Sequence, residues 1–283
     1  MLPRYFGPTE VVLTDSLGLA PPEVFDMPTA LVGIKTKHGF VTAADGLSGR
    51  IEDNGTYSPL SCQVQKVFRL EGHGKRMTWA VTGNADIRTT DGAGIAVDII
   101  RTIGDCARNL LAIDAADLGA FATGIGWCVN EAMEAARNDS KFSHYPTENG
   151  GDIFRLFIQG YYNGRPEQAV RRFFHIDQVL QEPADMGADI SDGRYISGSS
   201  AVLNIIFNPT DPRLSAYRVG AYNTLDQTVE FARKCVEVHM TAEARTIDDF
   251  HCRAIGGRTH IATITSANGV QWVPGFGPID EAA

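Results

Sequence analysis

The sequence predicts an α+β protein whose helices are segregated from antiparallel sheet, and three observations carry that expectation. Apolar strands come in pairs around short polar turns near the start. The apolar period then lengthens from two residues to about 3.6 over two consecutive segments. Strands, a further helical stripe and strands follow before the end. This order argues against a doubly wound repeat, in which strands and helices alternate one by one.

Each element follows in chain order. Residues 29 to 45, TALVGIKTKHGFVTAAD, form two apolar runs on either side of Lys37, His38 and Gly39, the pattern of a hairpin. QKVFRL at 65 to 70 and MTWAVTG at 77 to 83, joined by EGHGKR, predict a second hairpin, and the two hairpins together are expected to make the first half of one sheet. Ile95, Ile99, Ile103 and Ala107 share one helical face, as do Leu118, Phe121, Ile125, Val129 and Met133, which predicts two helices over the sheet. DIFRLFIQGYY and RRFFHID read as strands around a turn at Gly164 and Pro166. YISGSSAV supplies a small-residue turn, and the run from Ala201 to Phe207 reads as a short buried strand. A third helical stripe, Leu225, Val229, Ala232 and Val236, precedes two closing strands in THIATITSANGVQWV.

Composition narrows the function. The 283 residues are 43% hydrophobic and no Pro/Ser-rich linker divides them, so one large core is expected. A formal charge of -9 provides no basic field for a phosphate backbone or an anionic membrane surface, which argues against nucleic acid and membrane partners. No apolar run approaches the roughly 20 residues that span a bilayer. The opening MLPRYFGPTEVVLTDS lacks the basic start and apolar core of a secretory signal, so residues 1 to 28 are expected to belong to the protein. Cys62, Cys106, Cys128, Cys235 and Cys252 are odd in number and contain no C-x-x-C pair, which fits reduced thiols and a cytoplasmic location. The segment GAGIAV lacks the third glycine of a dinucleotide fingerprint, no G-x-S-x-G elbow occurs, and the histidines show no metal-ligand spacing; no cofactor and no metal are expected.

Several separate segments resemble proteasome β-type subunits and their bacterial relatives among the N-terminal-nucleophile hydrolases. PTALVGIKTKHGFVTAADG is similar to the start of a mature subunit, and QKVFRL to the lysine-bearing strand. MTWAVTGNAD is similar to the strand whose glycine lies at the substrate cleft. YISGSSAV resembles the late small-residue turn, and IGGRTHIATIT the Gly-Gly before the penultimate strand. The resemblance runs in order over about residues 29 to 275. It implies a four-layer αββα sandwich of two antiparallel sheets flanked by helices, preceded by an extension or propeptide at 1 to 28 and followed by a tail at 276 to 283. It also implies self-association into a ring, a polypeptide substrate and an ATPase unfoldase as partner.

The chemistry implied is that of a threonine peptidase. Thr29 supplies the hydroxyl nucleophile, and its own α-amine, with a pKa of about 7.7 to 8.0, serves as base. Lys66 is the ammonium beside the hydroxyl, Asp45 its counter-ion, and the Gly83 N–H the donor to the tetrahedral intermediate. Ser199, or Ser200, matches the serine that supports the amine. Two positions depart from the pattern. Cys252 and Ile255 stand where the family has an aspartate and a serine, so that Asp248 or Asp249 substitutes only if the loop is shifted. Pro28 stands where glycine precedes the threonine, and it stiffens the backbone that self-cleavage must bend. The alternative reading is an unprocessed, non-catalytic subunit with an assembly role.

Overall fold

The computed structural model describes residues 29–51, 57–146, 151–208 and 210–278. The extension, including the short apolar piece Val11, Val12 and Leu13, lies outside the described residues.

In chain order the strands and helices are β1 (Leu31–Thr36), β2 (Gly39–Ala44), β3 (Ser48–Ile51), β4 (Tyr57–Ser61), β5 (Val67–Gly72), β6 (Lys75–Gly83), β7 (Asp86–Arg88), β8 (Ile95–Asp98), α1 (Ile99–Leu110), α2 (Leu118–Asn138), β9 (Asp152–Tyr162), β10 (Arg165–Ile176), β11 (Val179–Leu180), β12 (Ala184–Asp185), β13 (Arg194–Ser197), α3 (Ser200–Phe207), α4 (Leu225–Glu237), α5 (Ala242–Ile247), α6 (Asp249–Arg253), β14 (His260–Thr265) and β15 (Gly269–Trp272). Two antiparallel sheets form from them, one in the order β13-β1-β2-β14-β15 and the other β11-β10-β9-β6-β5. Helices α1 and α2 cover the outer face of the second sheet, and α3 to α6 cover that of the first. The result is the four-layer αββα sandwich.

Both faces of each central strand are therefore buried, which explains the continuous apolar runs. In β1, Val32 and Ile34 face the α3–α6 layer while Leu31 faces the other sheet. In β6, Met77, Trp79 and Val81 face α1 and α2 while Ala80 packs between the sheets. Burying each such Val, Leu, Ile or Met contributes about 1.5–3 kcal/mol. Polar groups trapped between the sheets satisfy one another: the Thr42 and Thr78 hydroxyls lie 2.6 Å apart, and the Gln159 amide donates to Thr42 Oγ1 and the Val41 carbonyl.

Four expectations need correction. The two early hairpins do not share a sheet; β1 and β2 belong to one layer and β5 and β6 to the other. Ala201 to Phe207 is helix, because Ser199 caps α3 by accepting from the Val202 N–H and the local cap outweighs the β-propensity of Val and Ile. Ile95 lies in β8, and α1 begins only after the Asp98 cap, so Ile95 does not belong to the helical face of Ile99, Ile103 and Ala107. Cys106 and Cys128 are not reduced thiols but a disulfide between α1 and α2, with Cα atoms 6.0 Å apart. Helix packing brought together positions whose spacing in the chain signalled nothing. Among the described residues no helix is long and apolar enough to cross a membrane.

Candidate active site

Register places the site at one end of the sandwich. The β1–β2 pairing aligns Leu31 with Ala44, so Ala30 and Asp45 meet just beyond it, where the Asp45 N–H donates to the Ala30 carbonyl and the Ala30 N–H to Asp45 Oδ1. The β1–β13 pairing aligns Leu31 with Ser197, which carries Ser199 toward Thr29. From the other sheet, Lys66 immediately precedes β5 and Gly83 ends β6. Five strand ends thus bring together residues spread over 170 positions of sequence, from 29 to 199.

Asp45 is fully buried and Lys66 nearly so. The Lys66 ammonium donates to both Asp45 oxygens at 3.1 Å and to Thr29 Oγ1 at 3.3 Å, which uses all three of its protons. Asp45 also accepts the N–H groups of Ala30, Leu47 and Gly256. A buried charge pair holds its geometry only when the remaining lone pairs are satisfied, and here the backbone satisfies them. The donor from Gly256 identifies what the Gly-Gly segment does: it passes close under Asp45, and Gly257, at φ +73°, leaves no room for a Cβ beside the Cys62 carbonyl.

Ser199 is buried, while Ser200 is exposed on the first turn of α3. The Ser199 hydroxyl donates to Asp248 Oδ2 at 2.5 Å, and Asp248 in turn accepts from the His251 backbone N–H and ring. Burial opposes ionisation of Asp248, but the Ser199 hydroxyl and His251 outweigh it and hold the carboxyl below the ordinary range. The loop is therefore shifted, and Asp248, not Asp249, faces Ser199; Asp249 pairs with Arg253 on the surface. Cys252 and Ile255 are buried in the helix-side core. The Ser199 N–H donates to Nε2 of buried His239, whose ring burial holds below its ordinary pKa and therefore neutral. His239 carried no sequence signal. His260, also buried, is pushed down to about 4 by burial, with Arg258 and Lys66 adding to the effect.

Gly83 lines the same cleft as Thr29 and Lys66. Its φ is +95°, and a Cβ would come within 2.9 Å of the β9 backbone at Ile153 and Phe154. Glycine is thus required at Gly83 by the sandwich itself, whatever approaches from the cleft. A cavity of about 60 Å³ opens beside Thr29, and it shares its wall with a larger cleft of about 820 Å³ running along β7 and β8.

No protein-family model and no curated protein matches the chain. Solved structures similar to it are Anbu (ancestral beta-subunit) proteins. That from Pseudomonas aeruginosa, described as a helical assembly of the Anbu complex, is 13% identical over 86% of each chain with a TM-score of 0.50. That from Yersinia bercovieri is 15% identical over 86% of each chain with a TM-score of 0.48. A Gly-1 mutant from Hyphomicrobium sp. strain MC1 is 13% identical over 84% of this chain and 81% of its own, with a TM-score of 0.46. These neighbours correct the assignment to proteasome β-type subunits: the structures matched are Anbu proteins, at identities that carry the fold and not family membership. What the likeness shows is the fold, an α+β sandwich of antiparallel sheets flanked by helices.

Proposed function

We propose that the chain is a threonine-dependent peptidase of the N-terminal-nucleophile kind, active after the Pro28–Thr29 bond is cut, and that it works as a subunit of a larger assembly. The observation that carries this reading is the Lys66 ammonium held by both oxygens of Asp45 while its third proton meets Thr29 Oγ1. A buried cation beside a hydroxyl lowers the cost of the negative charge that grows on it during attack.

Thr29 Oγ attacks the substrate carbonyl carbon, its proton passing to the Thr29 α-amine, while the Gly83 N–H donates to the oxyanion. Collapse expels the leaving amine with that proton. Water then attacks the threonine ester, releasing the acid and restoring the hydroxyl. Release of the amine at Thr29 needs no amine base: Oγ attacks the Pro28 carbonyl carbon, its proton passes by way of water to the Thr29 nitrogen as the Pro28–Thr29 C–N bond breaks, and a second water cleaves the resulting ester. Asp248, through Ser199, provides the fixed polar group near the strand end where the new amine appears. Self-association is part of the proposal because the Pseudomonas Anbu structure, of the same fold, is described as an assembly.

A second reading, an unprocessed assembly subunit without catalysis, is favoured by Pro28 immediately before Thr29. Hydrolysis of a fluorogenic peptide mixture by the full chain separates the two. Thr29→Ala is expected to abolish turnover, and Lys66→Met to reduce it by at least about 10²-fold, as loss of a charged transition-state contact does. Turnover unchanged in Thr29→Ala rules the peptidase reading out.

A further inference from the structure

The cavity beside Thr29 is lined on its apolar side by Leu47, Val64, Val81, Ala85, Ile100 and Ala254. Its volume of about 60 Å³ compares with roughly 10–15 Å³ for one water and about 150 Å³ for a cavity that takes benzene. By that measure it suits a short aliphatic group and falls well short of an aromatic ring.

Charge selects in the same direction. Among the described residues Lys66 is the one charged side chain in the lining, and its three protons already go to Asp45 and Thr29, so an acidic group entering the cavity meets no free cation among them. A basic group meets no carboxylate among the described residues of the lining. Either would be buried without a partner. Ile100, half-buried on the first turn of α1, lines both this cavity and the larger cleft, as do Ser48, Gly49, Val64 and Ala85, and it has the bulkiest side chain of the five.

We infer that this cavity selects a short aliphatic side chain, alanine to leucine in size, on the acyl side of the bond that Thr29 attacks, with Ile100 setting the upper limit. The inference rests on the peptidase reading above and deepens it.

The test is kcat/KM for the full chain on acylated tetrapeptide amides that differ only at the residue before the cleaved bond, with Thr29→Ala as the blank. Valine or leucine is expected to exceed phenylalanine, arginine and glutamate by at least about tenfold, the scale on which a pocket discriminates by size. Ile100→Ala, which trims the lining shared with the larger cleft, is expected to raise phenylalanine relative to valine. Phenylalanine, arginine or glutamate preferred by the wild type overturns the inference and leaves the peptidase reading standing. Absence of Thr29-dependent cleavage across the whole series overturns both. Because the wild-type profile decides the matter alone, an Ile100→Ala chain that fails to fold does not shield the inference.

Discussion

Asp45 is the residue on which the site is assembled. Three backbone N–H groups and the Lys66 ammonium converge on its carboxylate, so it ties the start of β1, the end of β2 and the Gly-Gly segment to a lysine from the opposite sheet. Thr29, Asp45 and Lys66 were named through the resemblance, since strand pattern alone marks none of them as more than an ordinary strand-end residue, and the structure brings the three side chains together. Asp248 was legible only as a conditional, since its contact with Ser199 depends on the path of two short helices that leave no period to read. His239 and His260 were not legible, because a buried histidine looks like any other until its surroundings are known. His260 yields a prediction about pH. Its folded-state pKa of about 4 lies below the ordinary value of about 6.5, so between those limits the unfolded chain binds more protons. Stability should therefore rise with pH from about 4 to 6.5 and gain nothing further from this group above that. Asp248 acts in the same sense at lower pH, its contribution being lost as pH falls through its depressed value. Urea midpoints measured across pH 4 to 7 should show this slope, and His260→Phe should flatten it; equal slopes in the two chains refute the assignment.

At the scale of elements, the two faces of a strand carry different jobs. Gly33 in β1 is small because the Phe157 ring of β9 occupies the space its Cβ would need, with Phe157 Cζ only 2.1 Å from that position. The Val-Gly-Ile run thus reflects packing between sheets, and a resemblance could find the motif without giving this reason. The hairpins were readable from turn chemistry, but which sheet each entered was not, because local pairing says nothing about layers. Helix α3 was misread because a short, mostly apolar run fits either a strand or a helix, and only the Ser199 cap decides. The disulfide between α1 and α2 closes a loop with a sequence separation of 22. Loop-closure entropy then assigns it about 3 kcal/mol. Urea unfolding with and without reductant should differ by that amount in the wild type and not at all in a Cys106→Ser/Cys128→Ser chain; a reductant-insensitive wild type contradicts the pairing.

The whole molecule is a device for bringing strand ends from two sheets to one point. Neither sheet alone holds the site: Thr29 and Asp45 come from one, Lys66 and Gly83 from the other, and the apolar layer between them, with Leu31, Phe157 and Ala80 at its centre, fixes their separation. The segregation of helices and strands was enough to predict the fold class, and the resemblance to add the number of layers. In the proposed chemistry, cutting the bond between Pro28 and Thr29 is what switches the site on. The direct test is the intact mass of the chain expressed from Met1, read beside that of Thr29→Ala. The proposed chemistry predicts that the wild type loses residues 1 to 28 and the variant keeps them; both chains retaining the full 283 residues would contradict it.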